Sequence, residues 1–61
     1  MSKFIVLTDP YGDKVAINSD NIVLIYDDKV NEKVVGSRLI LVGRDSICVN
    51  EKLGEILYKI K

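Results

Sequence analysis

Histidine and tryptophan are absent from this chain of 61 residues, and cysteine, proline, methionine and phenylalanine occur once each. A single cysteine, Cys48, excludes an internal disulfide, and without histidine there is no Cys/His set to hold zinc. Nothing beside Cys48 in the sequence would activate it as a thiolate, so a packed or edge cysteine is the expectation. Net charge is also missing: nine basic side chains balance nine acidic ones, which removes the long-range field that draws proteins to a phosphate backbone. Nucleic acid is therefore a poor default partner. Long apolar runs are lacking too. The longest uncharged ones, residues 4–7, 22–26 and 39–42, fall far short of the roughly 20 residues a bilayer-spanning helix needs. Asp9 and Pro10 interrupt the first run before a signal-peptide core can form, so a cytoplasmic protein without a membrane span is expected.

What the chain does have is aliphatic residues spread along its whole length. Residues 3–8 are largely β-branched or apolar and end at Asp9-Pro10-Tyr11-Gly12-Asp13, a strand followed by a hairpin turn. Lys14-Val15-Ala16-Ile17-Asn18 brings Val15 and Ile17 to one face of a second strand. The polar cluster 18–21 predicts a tight turn, and 22–26 a third strand that stops at Asp27-Asp28. Residues 29–37 read as a hairpin loop with ragged strand extensions, marked by Asn31 and Gly36. A fourth strand over 38–43, a turn at 43–45 and a fifth strand over 46–49 follow. Asn50 is then a candidate N-cap and Glu51 a partner for the helix dipole. Leu53, Ile56, Leu57 and Ile60 form the apolar stripe of a helix of about ten residues. The expected fold is mainly β (α+β), a five-stranded antiparallel sheet or small half-open barrel with one C-terminal amphipathic helix, making a single domain over residues 1–61.

Three of these strands are apolar on both faces: Phe4/Val6 against Ile5/Leu7, Ile22/Leu24 against Val23/Ile25, and Leu39/Leu41 against Ile40/Val42. An antiparallel sheet with one wet face alternates instead, and a short helix covers only one side. A domain of this size buries only about 60% of its unfolded surface. Homo-oligomerisation, with a dimer first, is the expected remedy.

Chemistry-bearing patterns are sparse. Asp27 and Asp28 are adjacent, so in a strand they point to opposite faces and cannot share a proton or a metal. Asp9, Asp13, Asp20 and Asp45 fall at turns, where aspartate is favoured by local hydrogen bonding. Gly12, Gly36 and Gly43 have no phosphate-loop spacing, and Ser46 has no base near it. No enzyme activity, cofactor or metal is expected. The interaction residues read from the sequence are Tyr11 at the first turn and Tyr26 at the end of the third strand, both amphipathic aromatics, and Arg38 and Arg44, which flank the fourth apolar run.

The order strand, glycine turn, Val-Ala-Ile-Asn-Ser-Asp-Asn-Ile-Val-Leu-Ile, then Arg-Leu-Ile-Leu-Val-Gly-Arg-Asp-Ser-Ile-Cys-Val-Asn-Glu resembles the FlbD/SwrD family of small flagellar and swarming-motility proteins. Asn18, Ile22, Ile25, Gly43, Val49, Glu51 and Ile56 occupy the places of that family's pattern. Pro-Tyr-Gly-Asp and Gly-Arg-Asp stand where the family has Asn-Gly turns, and residues 29–37 are an insertion. The final strands and helix are also similar to the C-terminal half of LytTR DNA-binding domains. The resulting expectation is a non-enzymatic homo-oligomeric adaptor that binds a protein partner, related to motility or phage biology. The alternatives are an oligomer that sequesters an anionic small ligand such as a nucleotide at Arg38 and Arg44, or a LytTR-like nucleic-acid-binding module.

Overall fold

The computed structural model describes residues 3–43 and 45–61. Strand β1 (Phe4–Thr8) turns back into β2 (Lys14–Asn18) through a loop built on Asp9. The Asp9 carboxylate accepts from the N–H groups of Tyr11 and Asp13 at 2.9 Å each, and Asp9 N–H donates to the Asp13 carbonyl at 2.8 Å. Gly12, at φ +91°, supplies the left-handed residue that this loop requires. In the ladder, Ile5 faces Ile17 and Leu7 faces Val15, so the alternation in β2 determines which face is buried. Residues Ser19–Asn21 then make one 3₁₀ turn, in which the Asn18 side chain accepts from the Asp20 N–H at 3.0 Å.

The third and fourth strands are longer than the sequence suggests. Strand β3 (Ile22–Val30) passes through Asp27-Asp28 without ending, and β4 (Lys33–Leu41) starts at once after a two-residue turn. The expected loop over 29–37 is thus a continuous hairpin. Asn31 and Glu32 both adopt positive φ, 52° and 66°, as a tight primed turn demands. The two aspartates are tolerated because their own positions reach solvent: Asp27 is exposed and Asp28 only half-buried, although Ser37 and Gly36 opposite them are buried. The register Ile22↔Leu41 then Leu24↔Ile40 leaves Val23 unmatched. Asp28↔Gly36 then Lys29↔Val34 leaves Val35 unmatched. Each is a bulge that bends the hairpin. It contributes to a molecule 38 Å long and 21 Å across.

Strand β5 (Ser46–Val49) pairs with β4, placing Ile47 beside Leu39 and Val49 beside Ser37. The five strands therefore fall into two sheets, β1-β2 and β3-β4-β5, rather than one, and the sheets do not close. A backbone bond from Asn50 N–H to the Thr8 carbonyl, 2.8 Å, ties the end of β5 to the end of β1. The core lies between the sheets and the helix α1 (Leu53–Ile60): Ile5, Leu7, Ile17, Leu39, Val49 and Ile56 are buried. Val15, Ile22, Ile25, Leu41, Ile47 and Ile60 pack around them.

The helix begins later than Asn50. Its N-cap is Lys52, which makes no side-chain capping bond, because the two residues expected to start the helix are used elsewhere. Asn50 Nδ2 donates to the Asp9 carbonyl at 3.1 Å, and the Glu51 carboxylate reaches back to Thr8. At the other end, Lys3 Nζ donates to the carbonyls of Ile60 and Lys61 at 2.8 and 3.0 Å, placing a positive charge on the negative pole of the helix.

Candidate interaction surface

Opposite pairs in the register define the outer face of the three-stranded sheet. Leu24, Ile40 and Ser46 form one row across it, and Tyr26, Arg38 and Cys48 form the next. Tyr26 is 43% exposed and Leu24 54%, whereas Arg38, Ile40 and Cys48 are half-buried among their neighbours. Two of the four residues singled out from sequence, Tyr26 and Arg38, are thus direct cross-strand partners. Tyr11 is almost wholly exposed, but it belongs to the β1–β2 turn and so to the other sheet. Arg44 lies outside the described residues.

The sequence reading missed a groove. Between β3 and α1 runs an open trough of about 480 Å³, lined by Ile22 to Ile25 on one wall and by Leu53, Leu57 and Ile60 on the other, with Ser19 at its end. Val23, placed outward by its bulge, is 66% exposed, and Leu57 is 52% exposed. Among the described residues, strand β3 is an edge of its sheet and pairs with β4 alone, so the wall of this trough carries backbone donors and acceptors without a sheet neighbour there. The unbroken apolar run at 22–26 is its signal in the sequence; of the helix stripe Leu53, Ile56, Leu57 and Ile60, Ile56 alone is buried and Leu57 is exposed.

A polar cluster sits at the junction of the two sheets. Glu51 Oε1 accepts from Thr8 N–H at 2.8 Å, and Oε2 from the Thr8 hydroxyl at 2.9 Å, while Lys14 Nζ donates to that hydroxyl oxygen at 2.9 Å. The buried Ser37 hydroxyl donates to the Glu51 carbonyl at 2.7 Å. Partial burial is the largest single influence on Glu51 and opposes its ionisation. The bonds from Thr8 N–H and hydroxyl, its own backbone N–H and the Lys14 charge together outweigh burial and hold the carboxyl below its ordinary 4.5. A carboxylate stabilised in this way is a weak base and a good clamp: it fastens β1 to the segment between β5 and α1.

These features define a small α+β protein of two antiparallel sheets and one helix, with an apolar trough beside a free strand edge. No helix is long and apolar enough to cross a membrane among the described residues. Comparison with protein-family models, with curated proteins and with solved structures gives no match.

Proposed function

We propose that this chain is a non-enzymatic, self-associating β-rich binding module of the cytoplasm, a dimer first, that engages a protein partner through its strand edges and loop tips. The observation that supports this reading is the amount of apolar surface one copy leaves in water. A folded monomer of 6.9 kDa exposes about 4000 Å² by the usual scaling. This chain exposes 4441 Å². Phe4, Val6, Val23, Leu24 and Leu57 are each more than half exposed. Covering five such side chains contributes about 1 kcal/mol apiece, an amount comparable with the whole stability of a domain this small. Light scattering across the micromolar range tests the reading: a mass of twice 6.9 kDa or more is the expected result. A folded species of single-copy mass at every concentration would overturn it.

A second reading has one observation in its favour. Arg38 stands beside Tyr26 on the outer face of the three-stranded sheet, a combination suited to an anionic aromatic ligand such as a nucleotide. A nucleotide panel that raises the melting temperature in wild type but not in Arg38→Ala supports it, and a flat panel sinks it. The FlbD/SwrD resemblance would place either kind of module in motility. The LytTR likeness implies DNA binding, against which the balanced charge weighs; steeply salt-dependent binding to duplex DNA would favour it.

A further inference from the structure

We infer that the second copy joins through β3: the β3 edges of two chains pair antiparallel across a two-fold axis, and each copy's Ile22–Tyr26 stretch lies in the other's trough between β3 and α1. This rests on the self-association proposed above and names its joint. Among the described residues the trough is lined by apolar side chains and one serine, with no charged group, so its occupant must itself be an uncharged apolar segment that also satisfies a strand edge. The β3 run, which exposes Val23, Leu24 and Tyr26, is such a segment, and it is already positioned at the trough of its own copy, as an isologous contact requires.

Charge selects the direction. Parallel pairing in register would set Asp27 and Asp28 of one copy alongside those of the other, whereas antiparallel pairing about Leu24 and Ile25 sends the two acidic pairs to opposite ends of the joint. Area is consistent with it. The exposed parts of Val23, Leu24, Tyr26 and Leu57 amount to roughly 100 Å² each, or about 400 Å² per copy; with the backbone strip of β3 this approaches the lower range of specific interfaces. The Val23 bulge weakens pairing of a bare strand edge, but here it turns an aliphatic side chain outward as part of the contact.

The experiment compares substitutions at exposed positions on the two sheets, where neither disturbs the core. Leu24→Lys and Val23→Lys are expected to raise the dimer dissociation constant about thirtyfold or more in sedimentation equilibrium, as loss of a central contact does. Phe4→Lys, on the outer face of β1, should leave it within about threefold. Circular dichroism of each variant, read at a concentration where it is monomeric, establishes that it remains folded. If wild type is monomeric throughout, the self-association reading fails and this inference fails with it. If wild type dimerises but Phe4→Lys breaks the dimer and the β3 variants do not, self-association stands and the β3 joint is wrong. A Tyr26→Cys, Cys48→Ser protein adds a check on direction. Spin labels at position 26 should give a single short distance across the axis, and labels moved to position 28 a longer one; distances that stay equal along the strand would indicate a parallel joint and overturn the inference.

Discussion

Two glycines should respond to the same substitution with opposite signs. At Gly36 an added Cβ would be driven into the Val49 carbonyl oxygen, and would lie 3.1 Å from Val49 C and 3.2 Å from Asn50 Cα. All three are backbone atoms of the chain leaving β5, so no side-chain rotation relieves the clash. Gly36→Ala must push Val49 and Asn50 away from β4. Overpacking of this kind costs about 1–3 kcal/mol. The neighbouring residue is Ser37, whose buried hydroxyl bonds to the Glu51 carbonyl at 2.7 Å, and displacing that segment adds about 1–2 kcal/mol for the lost bond. The sum, about 2–5 kcal/mol, rivals the roughly 3–9 kcal/mol available to 61 residues. At Gly54, exposed in the first turn of α1, a Cβ meets nothing within 4 Å. There alanine should stabilise by about 0.5–1 kcal/mol through helix propensity. Thermal unfolding followed by circular dichroism reads both. The expected outcome is a fall of about 8 °C or more in Tm for Gly36→Ala and a rise of about 2–8 °C for Gly54→Ala. Equal stability of Gly36→Ala and wild type, with unchanged amide protection in β5, would refute the close approach on which the estimate depends.

Glu32 occupies φ +66° in the β3–β4 turn, so Glu32→Gly should raise stability by about 0.5–1 kcal/mol, measured by the urea midpoint at constant m-value. The Glu51 carboxyl has a depressed folded-state pKa; its contribution is therefore fully present above the unfolded value near 4.5 and is lost as pH falls through the folded value. Wild type should lose stability over that acid range, and Glu51→Gln should show a shallower acid slope, together with a loss of about 1–2 kcal/mol at pH 7, in paired urea titrations. Ile56 is fully buried whereas Leu57 beside it is half exposed, so Ile56→Ala should cost about 2–4 kcal/mol and Leu57→Ala under about 1.5 kcal/mol when each is measured as monomer.

Local rules were enough for some elements and insufficient for others. The alternation in 14–18, the Asn-Ser-Asp-Asn turn and the short strand 46–49 are where the residues alone place them, because period-two patterning and side-chain bonding to nearby backbone act within a few residues. A hairpin within 29–37 is legible from Asn31, but its two-residue turn at 31–32 is not, because Asn-Glu is not a glycine-bearing turn signal; strand pairing on both sides forces Glu32 into a conformation it does not favour. Asp27-Asp28 reads as a strand end, yet the strand continues through both because Asp27 is exposed and Asp28 half-buried, so neither charge enters the core. Of the candidate interface, Tyr26 and Arg38 were visible as types, but their pairing depends on a register fixed by two bulges.

Residue order by itself therefore determined the β-rich class, the short C-terminal helix and the excess of aliphatic surface, since composition and periodicity are properties of the chain. Tertiary structure alone decided that the strands divide into two sheets, that Glu51 clamps Thr8 instead of starting the helix, and which apolar residues face outward beside the free edge of β3. The physical reason is the same in each case. These outcomes depend on contacts between residues some 20 to 45 positions apart, where one site's best local partner loses to a distant group that the folded backbone brings to hydrogen-bonding range.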